Sequence, residues 1–378
     1  MTMRRMIVLA AGGTGGHMFP ARALAEVLIE RGHGVALVTD RRGQGFEEMG
    51  NRVSVHRVRA ERLGSGLVAK IGGVVELVVG TIQARRILRE MNASLVVGFG
   101  GYPSLPAMAA ALRLGIPTML HEQNAVLGRA NRLLAPCAKR IATSYPHVAA
   151  VRAVDRLKLH LTGNPVRPAI AALRDRPYPA PAPVDTIRLL VTGGSQGARV
   201  FGDLVPEAIA LMSEPMRRRL FVEQQCLIDD MPIAEARYRE IGVNAELAPF
   251  FTDLPERLAR AHLVICRAGA STVAELTIAG RPAVLVPYPY ATDDHQTANA
   301  HALEAAGGAW IMPQDKCDPE RLAHRLKSLI AAPRMLVQAA EYAHGQGRPN
   351  AADRLADLVE ATIADPHIPK TQPTEAAA

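Results

Sequence analysis

Aromatic residues are scarce in this 378-residue chain: seven Phe, seven Tyr and one Trp, 4% in all. So few flat side chains exclude a protein that works mainly by stacking nucleic-acid bases on aromatic platforms. Cysteine is sparse too. Cys137, Cys226, Cys266 and Cys317 show neither C-x-x-C spacing nor a disulfide framework, which points to a reducing compartment and argues against structural zinc. A membrane-spanning apolar run is also lacking. The most apolar long stretch, 63–82, is broken by Lys70, Glu76 and five glycines. The N-terminal apolar run passes straight into Gly12-Gly13-Thr14-Gly15-Gly16 without a polar cleavage region, so it reads as a first buried strand and not as a signal peptide.

What is present describes a well-buried globule. Hydrophobic residues make up 48% and charged ones 21%, and the length favours two domains of roughly 150–200 residues each. The net charge of +8 is unevenly spread. Residues 1–165 hold 22 Lys and Arg against 10 Asp and Glu, and the remainder holds 22 against 26. A basic half suits an anionic partner, either a membrane surface or nucleic acid; a merely solvated basic face is the plainer alternative.

Short β-branched runs at 6–10, 35–39, 95–97, 118–121 and 140–143 alternate with helical patterns at 19–31, 67–91 and 104–114. This grammar predicts an α/β fold with a parallel sheet wound on both faces. The proline-rich stretch 177–183 predicts an extended connector, and the same grammar restarts at 187–192. Ile7-Val-Leu-Ala-Ala-Gly-Gly-Thr-Gly-Gly-His17 and Leu189-Leu-Val-Thr-Gly-Gly-Ser-Gln-Gly-Ala-Arg199 are both strand, glycine turn and helix start. Two Rossmann-like, doubly wound parallel-sheet domains are therefore expected in series: 1–166 and 167–349. Residues 366–378 read as a disordered tail.

The glycine turns are the first candidates for chemistry. Glycine permits positive φ and close approach of a ligand, and the helix that follows offers unpaired amides at the positive end of its dipole. An ordinary tight turn or a nicotinamide site remain alternatives, the latter because Asp40 ends the second strand where a ribose-binding acid would sit. Met18, however, occupies the place of the third fingerprint glycine. His17 stands at a helix start, where the dipole favours a neutral imidazole able to accept a proton; a capping or packed histidine would look the same. His121-Glu122-Gln123-Asn124 packs four polar residues into one strand end, as a ligand site or as a buried hydrogen-bond network. Phe99-Gly100-Gly101-Tyr102-Pro103 closes another strand as a close-approach loop. In the second half, Gly193-Gly194-Ser195-Gln196-Gly197 and the helix start at 267–275 can each hold an anion, with Glu275 placed to accept from ribose hydroxyls; a Ser-capped helix is the alternative there. Asp293 and Asp294 precede a helix that sets Gln296 and Asn299 on one face. Adjacent residues at a helix start cannot converge on one ion, so no metal site is expected.

Taken in order, these segments, with Gly98-Phe-Gly-Gly-Tyr-Pro-Ser104 and Thr162-Gly-Asn-Pro-Val-Arg167, resemble the MurG family, the peripheral membrane N-acetylglucosaminyltransferases of glycosyltransferase family 28. The resemblance runs from about residue 5 to 360. It implies a GT-B fold, two Rossmann-like domains facing an interdomain cleft, with a C-terminal helix at about 350–365 packing back on the first domain. It also implies inverting transfer of GlcNAc from UDP-GlcNAc to the C4 hydroxyl of MurNAc in lipid I (undecaprenyl-pyrophosphoryl-MurNAc-pentapeptide), giving lipid II for peptidoglycan. By motif matching, Thr14, Gly15, Gly16, Asn124, Arg167, Ser195, Ala270, Ser271, Thr272, Val273, Ala274, Glu275 and Gln296 resemble donor-site residues, and His17 resembles the general base. No cofactor and no metal are implied, since the nucleotide sugar is a substrate. The implied partners are the anionic inner-membrane surface, on its cytoplasmic face, and other cell-wall and division proteins, but no nucleic acid.

Two sequence features bear on that resemblance. Leu63, Leu67, Val68, Ile71, Val74, Val75 and Val78, flanked by Arg59, Arg62, Lys70, Arg85 and Arg86, are expected to form an apolar membrane patch with a cationic rim, or else the face of a core helix. At Phe221-Val-Glu-Gln-Gln-Cys226 the family pattern has a His where Glu223 stands, and no glycine follows Gln225. A lipid-modifying GT-B relative, a dehydrogenase and a non-catalytic basic-surface binder are the competing readings.

Overall fold

Strands built from Val, Ile and Leu that are buried on both faces form the centre of each sheet, as parallel βαβ packing requires. The computed structural model describes residues 4–13, 15–41, 43, 46–60, 67–182, 184–194 and 198–365, without the side chains of 47, 48 and 67–71. The chain divides into two units, one running to Arg167 and resuming at Asn350, the other spanning Pro168–Pro349. The expected boundary at 166/167 lies one residue before this crossing, and the expected tail, 366–378, lies outside the described residues.

In the first unit the elements run β1 (Met6–Ala10), α1 (Gly15–Glu30), β2 (Gly34–Thr39), β3 (Val53–Arg57), α2 (Leu67–Glu90), β4 (Leu95–Gly98), α3 (Ser104–Arg113), β5 (Thr118–Glu122), α4 (Arg129–Leu134), β6 (Arg140–Thr143) and β7 (Leu159–Leu161). The sheet is parallel throughout in the order β3-β2-β1-β4-β5-β6-β7. Alternate residues of β1 serve opposite faces: Ile7 and Leu9 pack with Leu24 and Leu28 of α1, while Val8 and Ala10 pack with Ala84 and Leu88 of α2 and Ala107 and Ala110 of α3.

The second unit runs α5 (Pro168–Ala171), β8 (Ile187–Thr192), α6 (Val200–Ala210), α7 (Glu214–Arg217), β9 (Leu220–Gln225), α8 (Met231–Glu240), β10 (Asn244–Ala248), α9 (Leu254–Arg260), β11 (Leu263–Cys266), α10 (Ala270–Ala279), β12 (Ala283–Leu285), α11 (His295–Ala305), β13 (Ala309–Ile311), α12 (Pro319–Ala331) and α13 (Pro333–Gln346). Its parallel sheet is ordered β10-β9-β8-β11-β12-β13. Arg281, fully buried, ties two helix ends together by donating to the carbonyls of Leu258 and Ala259 at the end of α9 and of Ala279 and Gly280 at the end of α10. Tyr178 of the proline-rich stretch donates to the His262 carbonyl at 2.7 Å, so this stretch is anchored on the second unit.

The last helix, α14 (Ala351–Ala364), belongs to the first unit, where Leu355, Ala356 and Val359 join the core beside α1. Arg31 pairs with Asp353, Asp357 and Glu360 of this helix, and His33 meets Glu360 at 3.0 Å.

The structure adds strands that the pattern of apolar runs did not predict. In the first unit these are β3 and β7, both at sheet edges. Three residues of β3 are exposed, and β7 is three residues long, so neither carries the apolar run of a central strand.

Candidate active site

Open parallel sheets bind ligands beyond the carboxyl ends of their strands, where the strand order reverses. That point lies between β1 and β4 in the first unit and between β8 and β11 in the second. All four strand ends there run into glycine-bearing turns.

In the first unit, β1 leads into Gly12 and Gly13. A Cβ on Gly12 would stand 2.6 Å from Pro103 Cβ and 3.0 Å from Asp40 Oδ1, and Gly13 has φ +86°, so the turn tolerates no larger residue at either place. Thr14 lies outside the described residues. Gly15 and Gly16 open α1, and His17 follows within its first turn. The His17 ring lies against the turn after β4: a Cβ on Gly100 would sit 3.5 Å from Cε1, and one on Gly101 3.5 Å from Cδ2. Both glycines have positive φ.

The end of β5 reaches the same place. His17 Nδ1 lies 3.1 Å from Gln123 Oε1, and Gln123 Nε2 reaches the Phe99 carbonyl at 3.1 Å and His121 Nδ1 at 2.9 Å. His121 Nε2 meets the Gly163 carbonyl at 3.2 Å. Burial pushes the His121 imidazole down to about 4, and the nearby His17 adds to this, so His121 is neutral at neutral pH. Glu122, also buried, gathers four donors: the amide of Asn124 at 3.0 Å and its Nδ2 at 3.3 Å on one oxygen, the amide of Gly128 and Asn131 Nδ2, both at 2.8 Å, on the other. Asn124 is thereby fixed by its neighbour. Arg167 lies with the first unit, its guanidinium 5.6 Å from the centre of the Phe19 ring on α1. Asn164, three residues earlier, has both side-chain amide atoms buried without a hydrogen-bond partner.

In the second unit, Ser195 and the rest of 195–197 lie outside the described residues. The preceding turn is held by Gln225 at the end of β9. Its Oε1 accepts from the Gly193 amide at 3.2 Å, and its Nε2 donates to the carbonyls of Gly194 and Pro249, both at 3.1 Å. The turn after β11 leads through Gly269 into α10 with no side-chain cap. Amides of a helix's first turn have no partner within the helix, so this start is suited to an anion. Ser271 points a buried hydroxyl without a partner into this region. Thr272, Ala274 and Glu275 are half-buried, Ala270 is buried, and Val273, also buried, contributes apolar packing.

Gln296 and Asn299 of α11 grip the Ala268 residue from both sides. Gln296 Oε1 accepts from its amide at 3.2 Å, and Asn299 Nδ2 donates to its carbonyl at 3.1 Å. Arg267, buried, spans to the carbonyls of Val286 and Pro287 and to Gln314, and burial lowers its pKa from the ordinary arginine value. Asp294 accepts from Thr297 at 2.7 Å, a helix-start role. Among the described residues no three His, Cys, Asp or Glu side chains gather as a metal cage.

The sequence matches the model of the glycosyltransferase family 28 N-terminal domain over residues 7–143 and that of the family 28 C-terminal domain over 188–355. The chain belongs to glycosyltransferase family 28. It is 59% identical over 353 residues, 93% of each chain, to the UDP-N-acetylglucosamine–N-acetylmuramyl-(pentapeptide) pyrophosphoryl-undecaprenol N-acetylglucosamine transferase of Rhodospirillum centenum. The protein of the same name from Rhodospirillum rubrum is 52% identical, over 98% of this chain and 95% of that one. Among solved structures, MurG of Acinetobacter baumannii superimposes with a TM-score of 0.76 at 30% identity, covering 94% of this chain and 99% of that one. The two parallel-sheet units are thus the GT-B fold of a family 28 glycosyltransferase.

Glu223 stands where the resemblance leads one to expect a histidine, and the structure shows what it touches. Its carboxylate is fully buried and accepts from Arg257 at 2.7 Å and from Arg260, away from the glycine turn that Gln225 holds. The roles of Gln123, Gln225 and Asn299 escape motif matching. The sequence marks Gln123 and Gln225 as polar residues at the ends of apolar strands, Gln123 within a stretch open to a buried hydrogen-bond network, and Asn299 as a residue on one helix face. The fold supplies the partners: the Phe99 carbonyl, the Gly193 amide and the Ala268 carbonyl.

Proposed function

We propose that this family 28 glycosyltransferase transfers GlcNAc from UDP-GlcNAc to the C4 hydroxyl of MurNAc in lipid I, with inversion, forming lipid II. The named activity of relatives up to 59% identical over nearly the whole chain supports the substrates. One observation carries the chemistry: His17, at the start of α1, has its Nδ1 bound to Gln123 while its ring lies against the side-chain-free Gly100–Gly101 turn.

In this reading His17 takes the proton of the acceptor hydroxyl as its oxygen attacks the anomeric carbon from the face opposite the nucleotide. The bond from that carbon to the diphosphate oxygen breaks, and UDP leaves with the bonding pair. The donors proposed to offset the charge that develops on the diphosphate are the first-turn amides of α10 at Ala270, Ser271 and Thr272, together with the Arg167 guanidinium and the Ser195 hydroxyl that the resemblance implies. The Gly193 and Gly194 amides are held by Gln225 and Thr192 and shape the turn instead. Thr14, Gly15, Gly16 and Asn124 of the first unit and Ala274 and Glu275 of the second are the further donor contacts proposed from the resemblance. Val273 supports the α10 start by packing and Gln296 by holding Ala268. No metal or cofactor takes part in this scheme, so chelation by EDTA leaves turnover intact.

The acceptor is a lipid, and the enzyme meets it as a peripheral protein on the cytoplasmic face of the inner membrane. Among the described residues no helix is long and apolar enough to cross a membrane. Helix α2 instead exposes Val74, Val75, Val78 and Ile82 beside Arg85, Arg86 and Arg89, an apolar stripe with a basic end. Of the other residues expected in this patch, Arg62 and Leu63 and the side chains of Leu67, Val68, Lys70 and Ile71 lie outside the described residues. Other cell-wall and division proteins remain proposed partners on the strength of the family resemblance. The deciding experiment follows UDP release from UDP-GlcNAc: it is expected only with a lipid I analogue, and turnover with a different lipid but not with lipid I would reject the assignment.

A further inference from the structure

The proton positions of the chain of hydrogen bonds that ends on His17 follow from the chemistry of its partners. Gln123 is buried, and its Nε2 lies 3.1 Å from the Phe99 carbonyl and 3.2 Å from the His121 carbonyl. Carbonyl oxygens only accept, so the amide nitrogen must be on that side. The amide oxygen therefore faces His17 Nδ1, at 3.1 Å. Since that oxygen also only accepts, Nδ1 must carry a proton. On the other branch, Gln123 Nε2 donates to His121 Nδ1 at 2.9 Å, which must then be bare. The proton of this neutral ring sits on Nε2 and points to the Gly163 carbonyl at 3.2 Å. The two hydrogens on Gln123 Nε2 are shared among the Phe99 carbonyl, the His121 carbonyl and His121 Nδ1, and every such sharing agrees on a protonated His17 Nδ1 and a bare His121 Nδ1.

We propose that Gln123, oriented by Phe99 and His121, is a positioning residue that holds His17 as its Nδ1–H tautomer and so puts the basic lone pair on Nε2. The inference rests on the reading of His17 as general base and deepens it. In water a neutral histidine side chain favours the opposite tautomer, with the proton on Nε2. A His17 released from Gln123 would therefore present mostly an N–H at the ring atom that is needed as the acceptor. The Nε2 side of the His17 ring lies beside the Gly100–Gly101 turn, where a Cβ on Gly101 would be in van der Waals contact with Nε2 at 3.6 Å. His121 serves as the fixed acceptor at the far side. Taking a second proton would set its Nδ1–H against the Gln123 amide nitrogen, and burial opposes that protonation.

The test is nitrogen-15 NMR of the full chain labelled at histidine, with the His17 signals assigned by their loss in His17→Gln. In the wild-type protein near pH 7.5 the expected pattern is a protonated Nδ1 and a bare Nε2. In Gln123→Met, which keeps the volume and removes the acceptor, the proton is expected to move mainly to Nε2. With a lipid I analogue, kcat of this variant should fall about 10- to 100-fold, while KM for UDP-GlcNAc stays within about twofold. Three results would each overturn the proposal: a wild-type His17 protonated on Nε2, a Gln123→Met protein that keeps the wild-type tautomer, or one that folds and turns over at the wild-type rate. The first is measured on the wild-type chain and so does not depend on the variant folding. Absence of wild-type turnover on lipid I would instead reject the assigned reaction, and the tautomer measurement would still decide the inference by itself.

Discussion

Gln296 accepts from the backbone amide of Ala268 at 3.2 Å, and the same oxygen takes the amide of Tyr288 at 2.9 Å. One side chain of α11 therefore fixes the turn from which α10 begins, the proposed diphosphate seat. Removing it in Gln296→Ala leaves two amides without their acceptor, at about 1 kcal/mol each. The expected outcome is a rise of about tenfold in KM for UDP-GlcNAc with a lower melting temperature for the second unit. Steady-state kinetics would check this, and a KM within twofold of wild type would show that the turn is held without Gln296.

His121 predicts a pH dependence of stability whose sign is fixed. Its pKa is about 4 in the folded chain against 6.5 for the ordinary imidazole, so between these values the unfolded chain binds the extra proton. The stabilisation is fully present above pH 6.5 and is lost as the pH falls to about 4. The groups around the ring are Gln123, the Gly163 carbonyl, the Phe99 ring at 5.4 Å and His17, and none of them is a carboxylate that would offset the loss. In urea titrations the stability difference between wild type and His121→Phe should change by about 3 kcal/mol over this range. A difference independent of pH would contradict the buried neutral ring.

The resemblance leads one to expect a histidine where Glu223 stands, and the neighbours of Glu223 show how the fold accommodates a carboxylate there. Arg257 and Arg260 both reach the buried carboxylate, while Arg257 also binds Glu246 and, at 2.8 Å, Asp253 and stacks 4.1 Å from the Phe251 ring centre. These partners raise the pKa of Arg257 above its ordinary value. Glu223→Ala would take from Arg257 and Arg260 the buried carboxylate they share, while Arg257 keeps Glu246 and Asp253, so a loss of about 1–3 kcal/mol is expected. Glu223→His would do nearly the same, since an imidazole cannot neutralise the three guanidinium groups of Arg188, Arg257 and Arg260. KM for UDP-GlcNAc in a folded Glu223→Gln chain should match wild type, measured beside its unfolding curve; a large rise in KM would place Glu223 in the donor site instead.

The inner strands of the first sheet, the strand that opens the second and the four turns were legible in the sequence because they depend on local chemistry, whereas β10, β12 and β13 were not read from it, the last two being only three residues long. An apolar run such as Ile7 to Ala10 has to be buried, and Gly13 and Gly194 supply positive φ where a strand must turn into a helix. The edge strands β3 and β7 were not legible, since an edge strand faces water and loses the apolar signature. The site was half legible. His17 is marked by its place after the glycines, but Gln123 reaches it across 106 residues and Asn299 reaches Ala268 across 31. Spacing gives the face on which such a side chain lies, while its partner is fixed only by sheet order.

The exposed stripe on α2 makes the last prediction. Val74, Val75, Val78 and Ile82 are each more than half exposed and fall on one face of the helix, while Ala84 and Leu88 on the other side are in the core. Glu76, which would oppose an anionic surface, is paired with Arg59 at 3.2 Å. Burying Val78 and Ile82 in a lipid interface is worth about 2 kcal/mol together. The double variant Val78→Asp with Ile82→Asp should therefore bind vesicles containing anionic lipid at least about 30-fold more weakly. Neutralising Arg85, Arg86 and Arg89 to Gln should cost up to about 1 kcal/mol per residue at low salt. The two losses separate by ionic strength: the arginine effect fades at high salt as charges are screened, whereas the apolar effect persists. Vesicle sedimentation at two salt concentrations measures both, and turnover should fall more on bilayer-embedded acceptor than on a short-chain soluble one. Wild-type binding by both variants would mean that the stripe does not meet the membrane, and the basic charge of the first unit would then need another anionic partner.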